Sequence, residues 1–222
     1  MNSTEVYAQL QEVIIRLIKS GLSVKEEFPS IKNNGEFVTI GSHKGISNST
    51  ALKNIPYVEI YAEIEKHESY HVKLIDGGLL SFQYQFFDNG THIRKHRLAY
   101  FPSSSLPVYD ECPELYENDD LYLDLLSTNV VRFPIRFDFD SDPASCRNIL
   151  HPASHLTLGQ FENCRIPVSM PVSPRKFILF ILRNFYFKSF QRNKNIFEKK
   201  MPQVVPHHTI SFDEKLIGHF VL

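Results

Sequence analysis

The segment 70–100, YHVKLIDGGLLSFQYQFFDNGTHIRKHRLAY, decides the fold. It contains three runs in which apolar and polar residues largely alternate, separated by Asp-Gly-Gly at 76–78 and by Asp-Asn-Gly at 88–90. Such alternation is typical of strands, and Asp-Gly or Asn-Gly between two such runs is the strongest short signal of a β-hairpin. The segment therefore predicts an antiparallel meander of three strands: 70–75, 79–87 and 91–100.

One helix is predicted before this meander in the sequence and another after it. Near the N-terminus, a helix that Ser3 or Thr4 can cap and that Gly21 ends carries one apolar stripe. Ser173 and Pro174 place a serine cap and a first-turn proline before the strongest helix in the chain, which continues to about residue 191. Residues 177–187 of this helix, FILFILRNFYF, are largely apolar, which predicts that the helix is buried.

The remaining segments complete a single domain. Residues 29–56 are predicted to form a long loop with one short strand at 37–40, and 57–65 either a short helix or a strand. An acidic helix is predicted at 115–126, a strand at 130–140 and a short strand at 207–212. Because no repeat or clear linker divides the chain, residues 1–222 are predicted to form one α+β domain. The predicted domain consists of an antiparallel β-sheet (meander) with an N-terminal helix and a buried C-terminal helix packed on the sheet.

The composition indicates a packed protein without a membrane span. The 18 Phe and 10 Tyr residues supply apolar surface for a core. The longest apolar run, 177–182, is far shorter than the roughly 20 residues that span a bilayer. No basic and then apolar leader begins the sequence, and Cys112, Cys146 and Cys164 lack metal-ligand spacing and fit reduced thiols. These features predict a cytoplasmic protein.

Charge is distributed unevenly, although the formal net charge is −1. Residues 110–142 contain ten acidic and two basic side chains, whereas residues 165–200 contain nine basic and one acidic. The overall balance excludes a global field that would steer a polyanion. The two segments either neutralise each other or form separate solvated faces, or the basic one is a surface for nucleic acid with an acidic element beside it.

The stretch 134–168, PIRFDFDSDPASCRNILHPASHLTLGQFENCRIPV, contains more chemically capable side chains than any other window. Arg136, Asp138 and Asp140 alternate with apolar residues and therefore share one face of a strand. This face is either an ion-paired strand surface or a place where an arginine binds phosphate and the carboxylates orient a histidine. Two histidines, His151 and His155, follow four residues apart.

Three roles are open for His151 and His155. A His-x-x-x-His pair binds zinc when it lies on a helix with a third ligand, but Pro152 and the strand-like sequence after His155 argue against a helix. Two imidazoles can divide acid and base roles near neutral pH or contact a phosphate, and ordinary loop histidines are the third option. His155-Leu-Thr and His207-His-Thr also resemble the paired His-x-Thr tripeptides of the two-histidine phosphoesterases.

Several segments between residues 57 and 190 together resemble a bacterial family of unknown function: LIDGGLLSFQYQFFDNGTHIRKHRLAYFPS, PIRFDFD, HPASHLTLG, CRIPV and SPRKFILFILRNFY. More distantly, the chain is similar to the TumE-type toxins of bacterial toxin–antitoxin pairs. These combine a hairpin rich in Asp and Gly with an Arg-aromatic-Asp strand and a Pro-His-His-x-His cluster. The corresponding residues are Arg136, Asp138, His151 and His155. This chain differs in its His-Pro-Ala-Ser-His sequence, its acidic insert and its extra C-terminal helix. The resemblance implies a cytoplasmic toxin or phage-defence effector that acts on RNA.

We therefore predict a toxin or anti-phage defence effector that cleaves RNA phosphodiesters by acid–base chemistry, as a metal-independent nuclease (a hydrolase) without a cofactor. The predicted catalytic residues are His155, His151, Arg136, Asp138 and Asp140, and the predicted substrate-binding residues are His96, Arg97, Arg165, Arg175, Lys176 and Arg183. The alternative is a non-catalytic protein-binding module or regulatory subunit of a defence complex, whose acidic stretch 110–142 docks a basic partner or inhibits it. The predicted partners are RNA and an antitoxin or defence-complex subunit, with no membrane. Convergence of Arg136, His151 and His155 on one cleft would favour catalysis.

Overall fold

A computed structural model of the protein describes residues 1–42, 55–87, 90–104, 132–161 and 163–222. In these ranges, the chain forms one sheet of nine strands and six helices. The strands are β1 (Ser23–Glu26), β2 (Ser30–Asn33), β3 (Val38–Gly41), β4 (Val72–Leu74), β5 (Leu79–Phe87), β6 (His92–Phe101), β7 (Ile135–Asp140), β8 (Ser154–Leu158) and β9 (Ile166–Pro167). The helices are α1 (Ser3–Lys19), α2 (Tyr57–Lys66), α3 (Pro174–Phe185), α4 (Phe187–Arg192), α5 (Lys194–Phe197) and α6 (Phe212–Lys215).

The sheet is built around the predicted meander. Its main path runs β1-β4-β5-β6-β7-β8-β9, and all pairings between these strands are antiparallel. The nine-residue β5 has two partners along the same edge. Its first residues pair with β4 and its last residues pair with β3, and β3 in turn pairs with β2. The prediction that the segments 70–75, 79–87, 91–100 and 132–140 form one antiparallel sheet is confirmed, with β4 and β7 shorter than predicted.

One face of the sheet, the core face, packs against α1 and α3. Strand alternation directs Phe82, Leu98 and Phe137 to this face, where each is completely buried. Phe177 of α3 meets Phe82 and Phe137 edge-on, with ring centroids 5.7 and 6.1 Å apart. Full burial of an apolar side chain of this kind stabilises the fold by about 1.5–3 kcal/mol. The predicted N-terminal helix and buried C-terminal helix on the sheet are confirmed.

The opposite face, the polar face, is covered by α2 at one end. Ile60 and Ile64, one turn apart on α2, join a second buried cluster with Ala99 and Phe101 of β6. The segment at 57–65, for which helix and strand were both open, is therefore a helix whose apolar side rests on the sheet. Away from this cluster, the same face of the sheet presents polar and charged side chains.

The predicted C-terminal helix is interrupted. Helix α3 ends at Phe185, and Tyr186 leaves the helical conformation (φ −134°, ψ 44°) before α4 begins. The break turns Tyr186 into the core, where its hydroxyl donates to Asp76 Oδ2 over 2.9 Å. The expectation of one helix to residue 191 is therefore wrong, and Phe187, which belonged to its predicted apolar surface, is 53% exposed.

Two further expectations about extended segments are corrected. The stretch predicted as a loop with a single strand contains the hairpin of β2 and β3, which Asn34 closes by accepting the Phe37 N–H over 2.7 Å. Asparagine side chains commonly organise turns in this way. The predicted strand at 207–212 is not a strand, because the Ser211 side chain caps α6 there.

Some predictions fall outside the described residues. These are the acidic helix at 115–126, the first two residues of the Asp-Asn-Gly turn (88–89), and the first two residues of the predicted strand at 130–140. Among the helices that are described, none is long and apolar enough to cross a membrane.

Candidate functional site

A cleft of about 630 Å³ lies on the polar face. Strands β2, β3, β5, β6, β7 and β8 contribute to its lining, as does the connection between β7 and β8. In the described part of its lining, the charged residues are Lys32, Lys95, Arg97, Arg136, Asp138, Asp140 and Arg165, and the histidines are His96, His151 and His155. The five predicted catalytic residues and Arg97 and Arg165 thus line one cleft, although they come from four separate parts of the chain.

Strand register places Asp138 at the centre of a polar row. Asp138 of β7 lies directly opposite Arg97 of β6 on one side and His155 of β8 on the other, and Gln83 of β5 lies opposite Arg97. Neighbouring strands are about 4.8 Å apart, so side chains of one row on one face are within reach of each other. Arg136 joins the row from two residues earlier on β7, because that spacing returns to the same face.

Asp138 holds two arginines. Its Oδ1 accepts from Arg97 Nε over 2.7 Å, and its Oδ2 accepts from Arg136 Nε. Burial by itself would raise the pKa of Asp138, but the positive charges of Arg136 and Arg97 outweigh it and hold the pKa below its usual range. Asp138 is therefore ionised at neutral pH. The carboxylate was expected to orient a histidine, whereas in the structure its two oxygens orient arginines.

A backbone carbonyl orients His155 instead. Nδ1 of His155 lies 2.8 Å from the Pro152 oxygen, and since a carbonyl can only accept, Nδ1 carries the proton. The neutral ring then has its lone pair on Nε2, which lies 3.9 Å from Asp138 Oδ2. Burial lowers the pKa of His155, although the Asp138 charge opposes this. At neutral pH the His155 ring is therefore a neutral acceptor on the polar row.

His151 stands beside His155. Their rings meet edge-on with centroids 5.1 Å apart. His151 is held by a pair of backbone hydrogen bonds with Arg147, of 2.9 and 2.7 Å, that close a short hairpin. Burial lowers the pKa of His151, and the positive charge of Arg165 lowers it further. Two adjacent imidazoles with lowered pKa values can exchange protons with a ligand at mildly acidic pH.

The cleft carries an excess of positive charge. Of the described residues that line it, five are basic and two are acidic, a difference of three positive charges when the histidines are neutral. Asp140, on the same strand face as Asp138, is paired with Lys95 over 2.7 Å in a more exposed setting, with 40% of the lysine side chain accessible. A positive cleft with low-dielectric walls attracts anions such as phosphate groups.

Cys146 also lines the cleft but is a poor nucleophile. Burial raises the pKa of its thiol, as do the charges of Asp140 and Asp142, so the thiol keeps its proton at neutral pH. In the part of the chain that the structure describes, no three His, Cys, Asp or Glu side chains are grouped so that they could hold a metal ion.

His96 borders the cleft but has a core-like environment. It is 3% exposed, its Nε2 accepts from the Val172 N–H over 2.9 Å, and its ring packs against Tyr84 and Phe139. Burial lowers the pKa of His96 to about 4, so the ring is neutral. His96 and Arg97 are consecutive residues on one strand and therefore point to opposite faces. Arg97 reaches the polar row, and His96 does not.

The predicted substrate-binding residues of α3 lie away from the cleft. Arg175, Lys176 and Arg183 belong to the helix that covers the core face, on the other side of the sheet. The Arg183 guanidinium lies 5.7 Å from the centre of the Phe190 ring. The second His-x-Thr tripeptide, which begins at His207, also does not line the cleft, so the structure does not bring the two tripeptides together there.

Two cationic residues of the cleft were missed from the sequence. Lys32 lies on β2, inside the stretch that was predicted to be mainly a loop. Lys95 lies two residues before Arg97 on β6 and therefore on the same face. The alternation of Gln83 and Gln85 with aromatic residues on β5 is the signal that could have marked this face as polar.

Comparison with known proteins assigns the chain to a family. No curated protein and no solved structure matches it. The family DUF2290, described as an uncharacterized conserved protein, matches residues 22–222. The match includes the whole sheet and all the residues of the cleft, and it extends beyond the segment 57–190 on which the family resemblance was based. The chain therefore belongs to the DUF2290 family of uncharacterized conserved proteins.

Proposed function

We propose that this cleft binds and cleaves a phosphodiester of RNA without a metal, and that the protein is a toxin or anti-phage defence effector. The observation that carries the proposal is that Arg136, Asp138, His151 and His155 line one positively charged cleft. These four residues are also those that correspond to the TumE-type toxins, and that resemblance favours RNA as the substrate. The convergence of Arg136, His151 and His155 on one cleft favours catalysis over a non-catalytic binding module.

His155 is the general base in this proposal. Its Nε2 lone pair removes the proton of a ribose 2′-hydroxyl, whose oxygen attacks the adjacent phosphorus. The bond from phosphorus to the 5′-oxygen of the next nucleotide breaks, and protonated His151 donates its proton to that leaving oxygen. The products are a 2′,3′-cyclic phosphate and a 5′-hydroxyl. Assigning the base to His155 follows from its neutral tautomer, since Pro152 occupies its Nδ1 proton.

Arg136 and Arg97 stabilise the charge on the phosphate. Within the described residues, their hydrogen bonds to Asp138 use Nε, which leaves the terminal nitrogens of both guanidinium groups for the ligand. Asp138 fixes both cations before the substrate arrives. Donors that are held in place in advance stabilise a transition state without a cost for reorganisation. Asp138 therefore acts as a positioning residue for the two arginines.

Cleavage of a 5′-labelled RNA in the presence of EDTA tests the proposal. The variant His155→Asn keeps a donor for the Pro152 carbonyl but has no base, and we expect it to lose about 10²–10⁴-fold in rate. The matched control is His67→Ala, which removes an exposed histidine at the end of α2. Wild-type rates in His155→Asn would show that His155 is not the base. A folded wild-type protein that neither binds nor cleaves RNA would refute the proposal as a whole.

The alternative function, a non-catalytic module of a defence complex, stays a prediction from the sequence. It depends on the acidic stretch 110–142, of which residues 110–131 lie outside the described part of the chain. Purification of the expressed protein with its bound components, followed by mass spectrometry, distinguishes the two. A basic protein partner without RNA cleavage would support the module, and bound RNA would support the effector.

A further inference from the structure

A second cavity of about 430 Å³ adjoins the cleft. The two share Ser145, His151 and Arg165, so His151 stands at their junction. Both volumes lie within the range of roughly 300–1,000 Å³ that is usual for small-molecule sites. A ligand larger than one nucleotide could therefore occupy the cleft and the second cavity at the same time, with His151 between its two parts.

The described lining of the second cavity is basic as well. Arg147 and Arg165 contribute to its lining, and none of the described residues that line it is acidic. Asn163 adds an amide that can both donate and accept hydrogen bonds. Phosphate is the anion that two nearby guanidinium groups recognise well, because the planar N–H fork matches its oxygens.

The hairpin from Arg147 to His151 holds two aliphatic side chains at the surface beside these arginines. Ile149 has φ +68°, a left-handed conformation that is an outlier for a β-branched residue and is therefore strained. Ile149 is 41% exposed and Leu150 is 71% exposed. The chain thus adopts a strained turn that leaves these two apolar side chains exposed to solvent. Both Ile149 and Leu150 line the second cavity. Strain of this kind is concentrated at ligand-binding sites.

We propose that the second cavity is the subsite for the neighbouring nucleotide of a single-stranded RNA. Arg147 and Arg165 bind the next phosphate, and Ile149 and Leu150 contact the face of an unstacked base. Single-stranded nucleic acids are commonly bound by cations along the backbone together with aromatic side chains that stack on the bases. In this subsite, aliphatic side chains provide the apolar contact instead. The inference rests on the proposed function of the cleft and specifies its substrate, which must span at least two nucleotides.

Binding measurements test this subsite without requiring cleavage. The probes are uridine 3′-monophosphate and a uridine tetranucleotide with 2′-methoxy groups, which cannot react through a 2′-hydroxyl. We expect the wild-type protein to bind the tetranucleotide more tightly. Arg147→Gln should weaken tetranucleotide binding about tenfold and reduce the slope of its log–log salt dependence by about 0.7, but should leave monophosphate binding unchanged. Lys19→Gln, which removes an equal charge from an exposed position at the end of α1, should change neither.

A second variant tests the contact to the base. Leu150→Ser should weaken binding of the ordinary tetranucleotide but not of one with abasic residues, because the lost contact is to a base. The subsite is refuted if Arg147→Gln weakens both probes equally or neither, or if Leu150→Ser affects both tetranucleotides alike. Tight tetranucleotide binding by a wild-type protein that cleaves no RNA would refute the proposed catalysis alone. Absence of binding to either probe would overturn both proposals.

Discussion

Replacing Asp138 with Asn is the sharpest test of how the polar row is held together. The substitution keeps the shape of the side chain but removes the negative charge that binds Arg97 and Arg136. The amide oxygen can still accept from one arginine. The amide nitrogen, however, then faces the Nε–H of the other arginine, and two donors cannot bond to each other. We therefore expect loss of at least one charge-assisted hydrogen bond and of both charge pairings.

The size of the effect follows from the exposure of the three side chains. Asp138 and Arg136 are each 12% exposed, so their pairing is little screened by water, whereas Arg97 is 32% exposed and its pairing is weaker. A hydrogen bond to a charged group contributes about 1.5–3 kcal/mol, and breaking a buried pair costs about 3–5 kcal/mol. Discounting the more exposed partner, we expect Asp138→Asn to reduce the free energy of unfolding by about 3 kcal/mol.

Urea unfolding at several pH values provides the assay. Asp138 has a lowered pKa in the folded state, so its stabilising contribution is present above the unfolded-state pKa of about 3.9 and is lost as the pH falls through the folded-state value. The difference between wild type and Asp138→Asn should therefore be constant from neutral pH down to about pH 5, and should decrease below about pH 4.

The matched control lies two residues further along the same strand. Asp140→Asn breaks the pair with Lys95, which is more exposed, and we expect a cost below about 1 kcal/mol. Equal costs for the two variants, or a cost for Asp138→Asn that does not depend on pH, would contradict the reasoning. A second readout separates charge from positioning. Phosphate binding should become tighter in Asp138→Asn because the net charge of the cleft rises, whereas the cleavage rate should fall because the two arginines are no longer held in place.

Three further predictions concern pH and the core. Cleavage should show a bell-shaped pH profile, because His155 must be neutral while His151 is protonated. The maximum should lie below about pH 6.5, because the pKa values of both histidines are lowered. A maximum above pH 8 would contradict these roles. Burial lowers the pKa of His71 to about 4, so between about pH 6.5 and 4 the unfolded state binds a proton that the folded state does not. As the pH falls through this window, His71 should therefore reduce the free energy of unfolding by about 3 kcal/mol. His71→Gln should show a shallower pH dependence in urea unfolding than the wild type. Phe177→Ala should reduce the free energy of unfolding by about 3–5 kcal/mol, because Phe177 is completely buried. Phe185→Ala should reduce it less, because Phe185 is only partly buried. Equal shifts of the melting temperature for the two variants would place Phe185 in the core.

The sequence by itself determined the features that depend on neighbouring residues. The turns at 76–78 and 88–90 and the alternation around them predicted the meander, and the serine and proline at 173–174 marked where α3 begins. Alternation also predicted that Arg136, Asp138 and Asp140 share a face, since side-chain direction in a strand follows directly from position. Such local rules act over a few residues and need no knowledge of the rest of the chain.

Only the tertiary structure decided which of these side chains meet. Arg97 lies opposite Asp138, and Asp138 opposite His155, because of one particular register between strands distant in sequence. A slip of one residue would move every side chain of a strand to the other face, and no short motif encodes that choice. The strand at 37–40 was predicted and is β3, but its partner β2 was missed for the same reason, because β2 pairs with a β3 that is itself held on the edge of β5. The partners of Asp138 therefore could not be predicted, because they depend on how distant strands align.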